Sequence, residues 1–208
     1  MMLVEETAPP AAALPVAELR HHLRLGSGFE LVVNAAEDAA LAGFLRAAIA
    51  AVEARTGKAL LARRFRMRIE DWRAREAQPL PLAPVLSLEG VEIDDGEGNA
   101  TEVPPGDLRL IPDSQRPLIV PRGALLPAVP ERGFVTVIFT AGFGAGWQAV
   151  PPDLAQAVLM LAAQYYEDRG SHGVAAALPH AVAALIERWR AVRTLAGPPG
   201  PQARGMAR

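Results

Sequence analysis

The side chains that most often carry chemistry are sparse here. The four histidines are His21, His22, His172 and His180. His21 and His22 are adjacent, so on a helix they point to different faces and cannot share a metal as an i, i+4 pair does. Solvated or capping roles are expected for them, and a loop role for His172 in Gly-Ser-His-Gly-Val. The chain has no cysteine, which removes disulfides, thiolate nucleophiles and cysteine–zinc sites. That composition fits a reducing compartment. Glu92, Asp94, Asp95 and Glu97 cluster as calcium ligands do, but without the twelve-residue loop and its distal bidentate glutamate. A polar hairpin tip is the better reading. Gly142, Gly144 and Gly146 follow an apolar run, yet neither Gly-x-Gly-x-x-Gly nor a terminal Lys-Ser/Thr is present, so they read as a turn. Ser27, Ser87, Ser114 and Ser171 show no nucleophile-elbow context. No catalytic, metal-binding or cofactor-binding set emerges, so neither an enzyme nor a cofactor is expected.

Arginine is the remaining chemistry. Arg64, Arg66 and Arg68, with Arg63 beside them, place positive charge mainly on one strand face. Arg188, Arg190, Arg193, Arg204 and Arg208 follow Glu187 with no acid after it. For this C-terminal cluster two readings stand side by side: a solvated face with a soluble tail, or an electrostatic contact with an acidic partner or passing DNA. Trp189 in the same helix gives the aromatic-plus-arginine composition common at interfaces. A net charge of −2 argues against a dedicated nucleic-acid binder.

The elements that must position these residues follow from periodicity. With 208 residues, half of them hydrophobic, one compact domain is expected. Residues 1–15 read as a flexible lead-in, acidic and proline-rich, unlike a secretory signal. Residues 16–25 predict a short helix. Residues 35–56 predict a long one, with Leu41, Phe44, Leu45, Ala48, Ile49 and Val52 at helical spacing, Asn34 as cap and Gly57 as left-handed stop. Phe65, Met67 and Ile69 alternate with Arg64, Arg66 and Arg68, the mark of a half-buried strand. A second strand enters through 79–88, with Leu86, Leu88, Val91 and Ile93 inward and a bulge at Gly90. Residues 94–99 make a hairpin turn. Short strands follow near 107–111 and 117–120, then the apolar strand 133–144. Helices return at 151–169 and 179–195, and residues 196–208 form a flexible tail. The predicted fold is α+β: mainly a helical bundle (16–57 and 151–195) with a small antiparallel β section (60–144) inserted. No run is apolar enough to cross a membrane.

Several segments, in one order, resemble the head–tail connector, or adaptor, family of long-tailed bacteriophages. The first is the short helix AELRHHLRL. The second is EDAALAGFLRAAIAAVEARTGKALLARRF, similar to the family's long helix and its Glu-x-x-Thr-Gly-x-x-Leu ending, here Glu53, Thr56, Gly57 and Leu60. Trp72 and the proline-marked hairpin LPLAPVLSLEGVEIDDGEG follow. VTVIFTAGFG resembles the family's strand ending in Ala-Gly-aromatic-Gly. VPPDLAQAVLMLAAQYYEDRG and ALPHAVAALIERWR resemble its last two helices. The resemblance spans roughly 16–193, and the adaptors of gene transfer agents belong to the same group. The loop at 26–34 and the stretch 103–132 depart from the pattern.

The resemblance implies a structural protein at the neck of a virion or phage-like particle, assembled in the bacterial cytoplasm. Such proteins form a homo-oligomeric ring, usually a dodecamer, under the portal protein at the capsid vertex. They link the head to a head-completion (stopper) or other neck protein, and DNA passes only as channel cargo. Residues assigned to the portal contact are Leu185, Arg188, Trp189, Arg190, Arg193, Leu195 and Arg204. Those assigned to ring or neck contacts are Arg64, Arg66, Arg68, Asp94, Asp95 and Glu97. A different neck or tail-completion protein, or a small-molecule enzyme with an unrecognised pocket, are the alternatives.

Overall fold

Helical spacing at both ends of the chain and two-residue alternation between them divide the protein into a helical layer and a β layer. The computed structural model describes residues 1–25, 35–170 and 178–190. In chain order the elements are β1 (Met2–Glu5), α1 (Val16–His22), α2 (Ala35–Thr56), β2 (Arg63–Ile69), β3 (Gln78–Pro79), β4 (Val85–Asp94), β5 (Ala100–Glu102), β6 (Leu108–Ile111), β7 (Leu118–Pro121), β8 (Phe134–Ala141), α3 (Pro152–Glu167) and α4 (His180–Ile186). A five-stranded sheet has the order β1-β2-β8-β4-β5, and a three-stranded sheet the order β3-β7-β6. All strand pairs are antiparallel.

Strict alternation along β2 buries Phe65, Met67 and Ile69 and exposes Arg64, Arg66 and Arg68. The buried row joins Val135, Val137 and Phe139 of β8, with Phe65 and Phe139 stacked at 5.8 Å. Trp72, Leu108, Ile119 and Leu126 cover this row from the second sheet and its loops. The five-stranded sheet is thus apolar on one face and open on the other, as antiparallel sheets commonly are. Trp72 keeps its indole N–H satisfied by donating to the Pro127 carbonyl at 2.8 Å.

The helical layer has its own core. Leu41, Leu45, Ile49 and Val52 of α2 meet Leu154, Val158 and Leu161 of α3, with Leu19 of α1 and Val182 and Ile186 of α4 closing the ends. Each such side chain, fully buried, contributes about 1.5–3 kcal/mol. Arg20 of α1 bridges Glu37 and Asp38 at the start of α2, at 2.9 and 2.5 Å. No described helix is long and apolar enough to cross a membrane.

Four expectations need correction. The fold is α+β, but not mainly a helical bundle: helix accounts for 38% of the described residues, and two sheets form the other layer. The supposed lead-in is structured, because Met2–Glu5 pairs with β2 and Leu14 is buried in the helical core. Leu86 points outward, 53% exposed, because β4 slips register between Val85 and Ser87 as well as at Leu88/Gly90, and each slip reverses the inward set. The last helix is shorter than 179–195: α4 ends at Ile186, a 3-10 turn covers Glu187–Trp189, and Arg190 is extended. Asn34, His172, Arg193, Leu195 and Arg204 lie outside the described residues.

Candidate assembly surfaces

The open face of the five-stranded sheet holds most of the charge singled out above. Met2 lies across from Arg68 and Val4 from Arg66, so β1 adds exposed apolar side chains beside the arginine row. Arg64 pairs with Glu6 at 2.8 Å and with Glu89 at 3.4 Å, and Arg66 pairs with Glu6 at 2.6 Å. Arg68 lies over the Phe134 ring, 3.4 Å from its centroid. On the far side, Glu92 and Glu102 sit directly opposite each other on β4 and β5. The hairpin tip is built from its own carboxylates. Asp94 accepts from the Gly96 amide, and Asp95 accepts from the amides of Glu97 and Asn99 and from the Asn99 side chain. The Asn99 bond, with the two amides, holds the Asp95 carboxyl below its ordinary value. These bonds explain the acidic cluster as turn chemistry, and no group of three metal-ligand side chains occurs among the described residues.

The second surface surrounds Glu187–Trp189, next to the last described residue, Arg190. Asp153, in the first turn of α3, accepts from Trp189 Nε1 and from Arg188 Nε, both at 2.6 Å. Burial pushes this carboxyl up, but the bonds from Trp189, Arg188 and the Leu154 amide outweigh it and leave it below its ordinary value. Trp189 also meets Phe143 edge-on at 5.6 Å. Trp189 and Leu185 are half-buried against the helical core, whereas Arg188 and Arg190 are exposed. The structure therefore gathers Leu185, Arg188, Trp189 and Arg190 at one end of the helical layer, far along the chain from the arginine row and the acidic hairpin. Asp153 was not singled out from sequence. Its only cue was a carboxylate after Pro-Pro at a helix start, which reads equally well as a helix-dipole residue.

A third site joins the two layers, and sequence reasoning missed its chemistry. Glu53 near the end of α2 accepts from the Leu60 amide at 2.7 Å and from both terminal nitrogens of Arg63, at 2.9 and 2.7 Å. Arg63 Nε lies 2.9 Å from Glu5 of β1, an ion pair not aligned as a hydrogen bond. Burial lowers the Arg63 pKa, and Glu53 and then Glu5 more than restore it, so the group stays charged. Gly57 has φ +67° and Gly142 has φ +143°. A Cβ on Gly142 would stand 2.4 Å from the Ala62 backbone. Phe143 N–H donates to Leu60 O, and Ala62 N–H donates to Gly144 O. The Glu-x-x-Thr-Gly-x-x-Leu and Ala-Gly-aromatic-Gly segments thus cross in direct contact. Nearby, Lys58 is buried and its ammonium donates to Ser114 O and to Gln115 Oε1, the latter at 2.9 Å. Desolvation lowers its pKa.

A cleft of about 770 Å³ lies at one end of the sheet between Met2, Arg68, Glu131 and Arg132. It is wide open, and the carboxyls held low, Asp95, Asp113 and Asp153, do not line it.

Comparison with known proteins decides the family. No protein-family model and no curated protein matches the chain. Among solved structures, a chain in the neck of an empty gene transfer agent particle, computed with C6 symmetry, is 55% identical, with TM-score 0.84 over 96% of this chain and 100% of that one. The chain belongs to the family of gene transfer agent neck proteins. A chain in the virion of the native particle is likewise 55% identical, covering 95% of this chain and 99% of that one, with TM-score 0.82. A chain in the native neck, computed with C12 symmetry, is 52% identical over 96% and 100%, with TM-score 0.80. This agrees with the connector resemblance carried by the ordered motifs. This neck protein is a structural component of the particle.

Proposed function

We propose that this neck protein is the head–tail adaptor of a gene transfer agent particle: a twelve-fold ring beneath the portal protein, with DNA passing through its channel. The observation that carries this reading is near-full-length similarity to chains of a particle neck computed with C12 and C6 symmetry. Cyclic symmetry is what a closed ring of identical chains requires. A head-completion (stopper) or other neck protein follows on the side away from the portal, and assembly takes place in the bacterial cytoplasm.

Portal docking falls to the C-terminal segment. Asp153 holds Trp189 and Arg188 against the helical layer, just before this segment. Arg190 and the residues after it, including Arg193, Leu195 and Arg204, then make the contact, with arginine giving orientation and leucine giving apolar burial. Deleting 196–208 is expected to leave the cores intact, because every core residue among the described residues lies upstream. The deletion is expected to fold with an unchanged thermal midpoint and to lose portal binding. Unchanged particle assembly by the deleted chain would overturn the docking assignment.

A further inference from the structure

We infer that neighbouring copies in the ring join through opposite edges of the five-stranded sheet, the acidic β4–β5 hairpin of one copy lying against the arginine-bearing β1–β2 edge of the next. This rests on the ring reading above. Residues 85–102 contain six carboxylates, at 89, 92, 94, 95, 97 and 102, and no lysine or arginine. Glu92 and Glu102 face each other across the strand pair. Among the described residues no cation lies within ion-pair distance of Glu92, Glu97 or Glu102. Like charges directly opposite on paired strands are destabilising, so this edge favours a cation from outside.

The other edge supplies one. Arg64, Arg66 and Arg68 stand on the open face of β2, where Glu6 and Glu89 answer only the first two. Arg68 has an aromatic partner and, among the described residues, no carboxylate in ion-pair distance. Met2 and Val4 beside them are 54% and 43% exposed, which gives the arginine patch an apolar floor. The two edges are separated by the full width of the sheet, four strand spacings or about 19 Å. A closed ring of identical chains needs two different, complementary patches on opposite flanks of each copy, and the sheet provides such a pair. Both edge strands are short, so side-chain charge pairing sets the contact more than backbone pairing does.

The chain's lack of cysteine makes the test clean. Full-length protein carrying Val4→Cys and Glu102→Cys is assembled with portal protein, oxidised mildly and run without reductant, with each single variant as control. A ladder of covalent multimers in the double variant alone is expected. Glu92→Arg with Glu102→Arg is expected to lower ring recovery about tenfold, and adding Arg66→Glu with Arg68→Glu to restore it. Circular dichroism and thermal midpoints of the free chains separate this from misfolding. Rings seen by electron microscopy with no ladder and no charge effect would overturn the edge contact while leaving the ring reading intact. No ring from the unaltered chain on the portal would overturn both.

Discussion

Replacing Glu53 by alanine removes the carboxylate on which the joint between the layers depends. Glu53 and Arg63 are 11% and 8% exposed in their side chains, and their contact is bidentate at 2.9 and 2.7 Å. Removing one partner of such a pair costs about 3–5 kcal/mol, because a buried charge is left unanswered. Glu5 remains 2.9 Å from Arg63 and is itself 38% exposed, so it offsets part of that loss. The released Leu60 amide adds the cost of a lost hydrogen bond, about 1 kcal/mol. The sum is about 4 kcal/mol, or a fall in Tm of roughly 8–16 °C for a chain of this size. Urea denaturation of the free protein measures it, read as a lower midpoint with an unchanged slope. Glu53→Ala with Arg63→Met is expected to recover most of the loss, since no buried charge is then stranded. A loss below about 1 kcal/mol for Glu53→Ala, or a double variant worse than the single, would refute the argument.

Gly142→Ala forces a Cβ to within 2.4 Å of the Ala62 backbone at φ +143°. A loss of about 2 kcal/mol or more is expected, read by the same denaturation. The Asp153 contact is pH-dependent in a fixed direction. Its carboxyl is held below the ordinary 3.8, so the contact stabilises above that value and is lost as pH falls through the lowered folded value. The difference in fluorescence between the unaltered chain and Trp189→Phe is expected to change only below about pH 4, and to stay flat in Asp153→Asn; a change centred above pH 5 would contradict this.

Much of the fold is legible in the sequence where periodicity is strong. α2 spans Ala35–Thr56 as its apolar spacing predicts, and Gly57 is left-handed as expected of a helix stop. β2 alternates residue for residue, and the bulge at Gly90 is real. What stayed hidden depends on distant partners. The N-terminal strand is a short apolar run without alternation, and it is a strand because β2 offers it an edge. Leu86 faces outward because of a second register slip that no local residue announces. The motif Glu53-x-x-Thr56-Gly57-x-x-Leu60 marks a family, but its physical role requires Arg63, Glu5 and the glycines at 142–144 brought across the layers. Trp189 reads from sequence as an interface residue; in the structure Asp153, thirty-six positions away, holds it within the chain.

The adaptor assignment is tested most directly by mixing tagged full-length protein with the particle's portal protein and imaging the captured complex by electron microscopy. A twelve-fold ring of this chain seated on the portal, its C-terminal segment in the contact, is expected. A well-behaved chain that leaves the portal bare would contradict it and move the protein to another position in the neck.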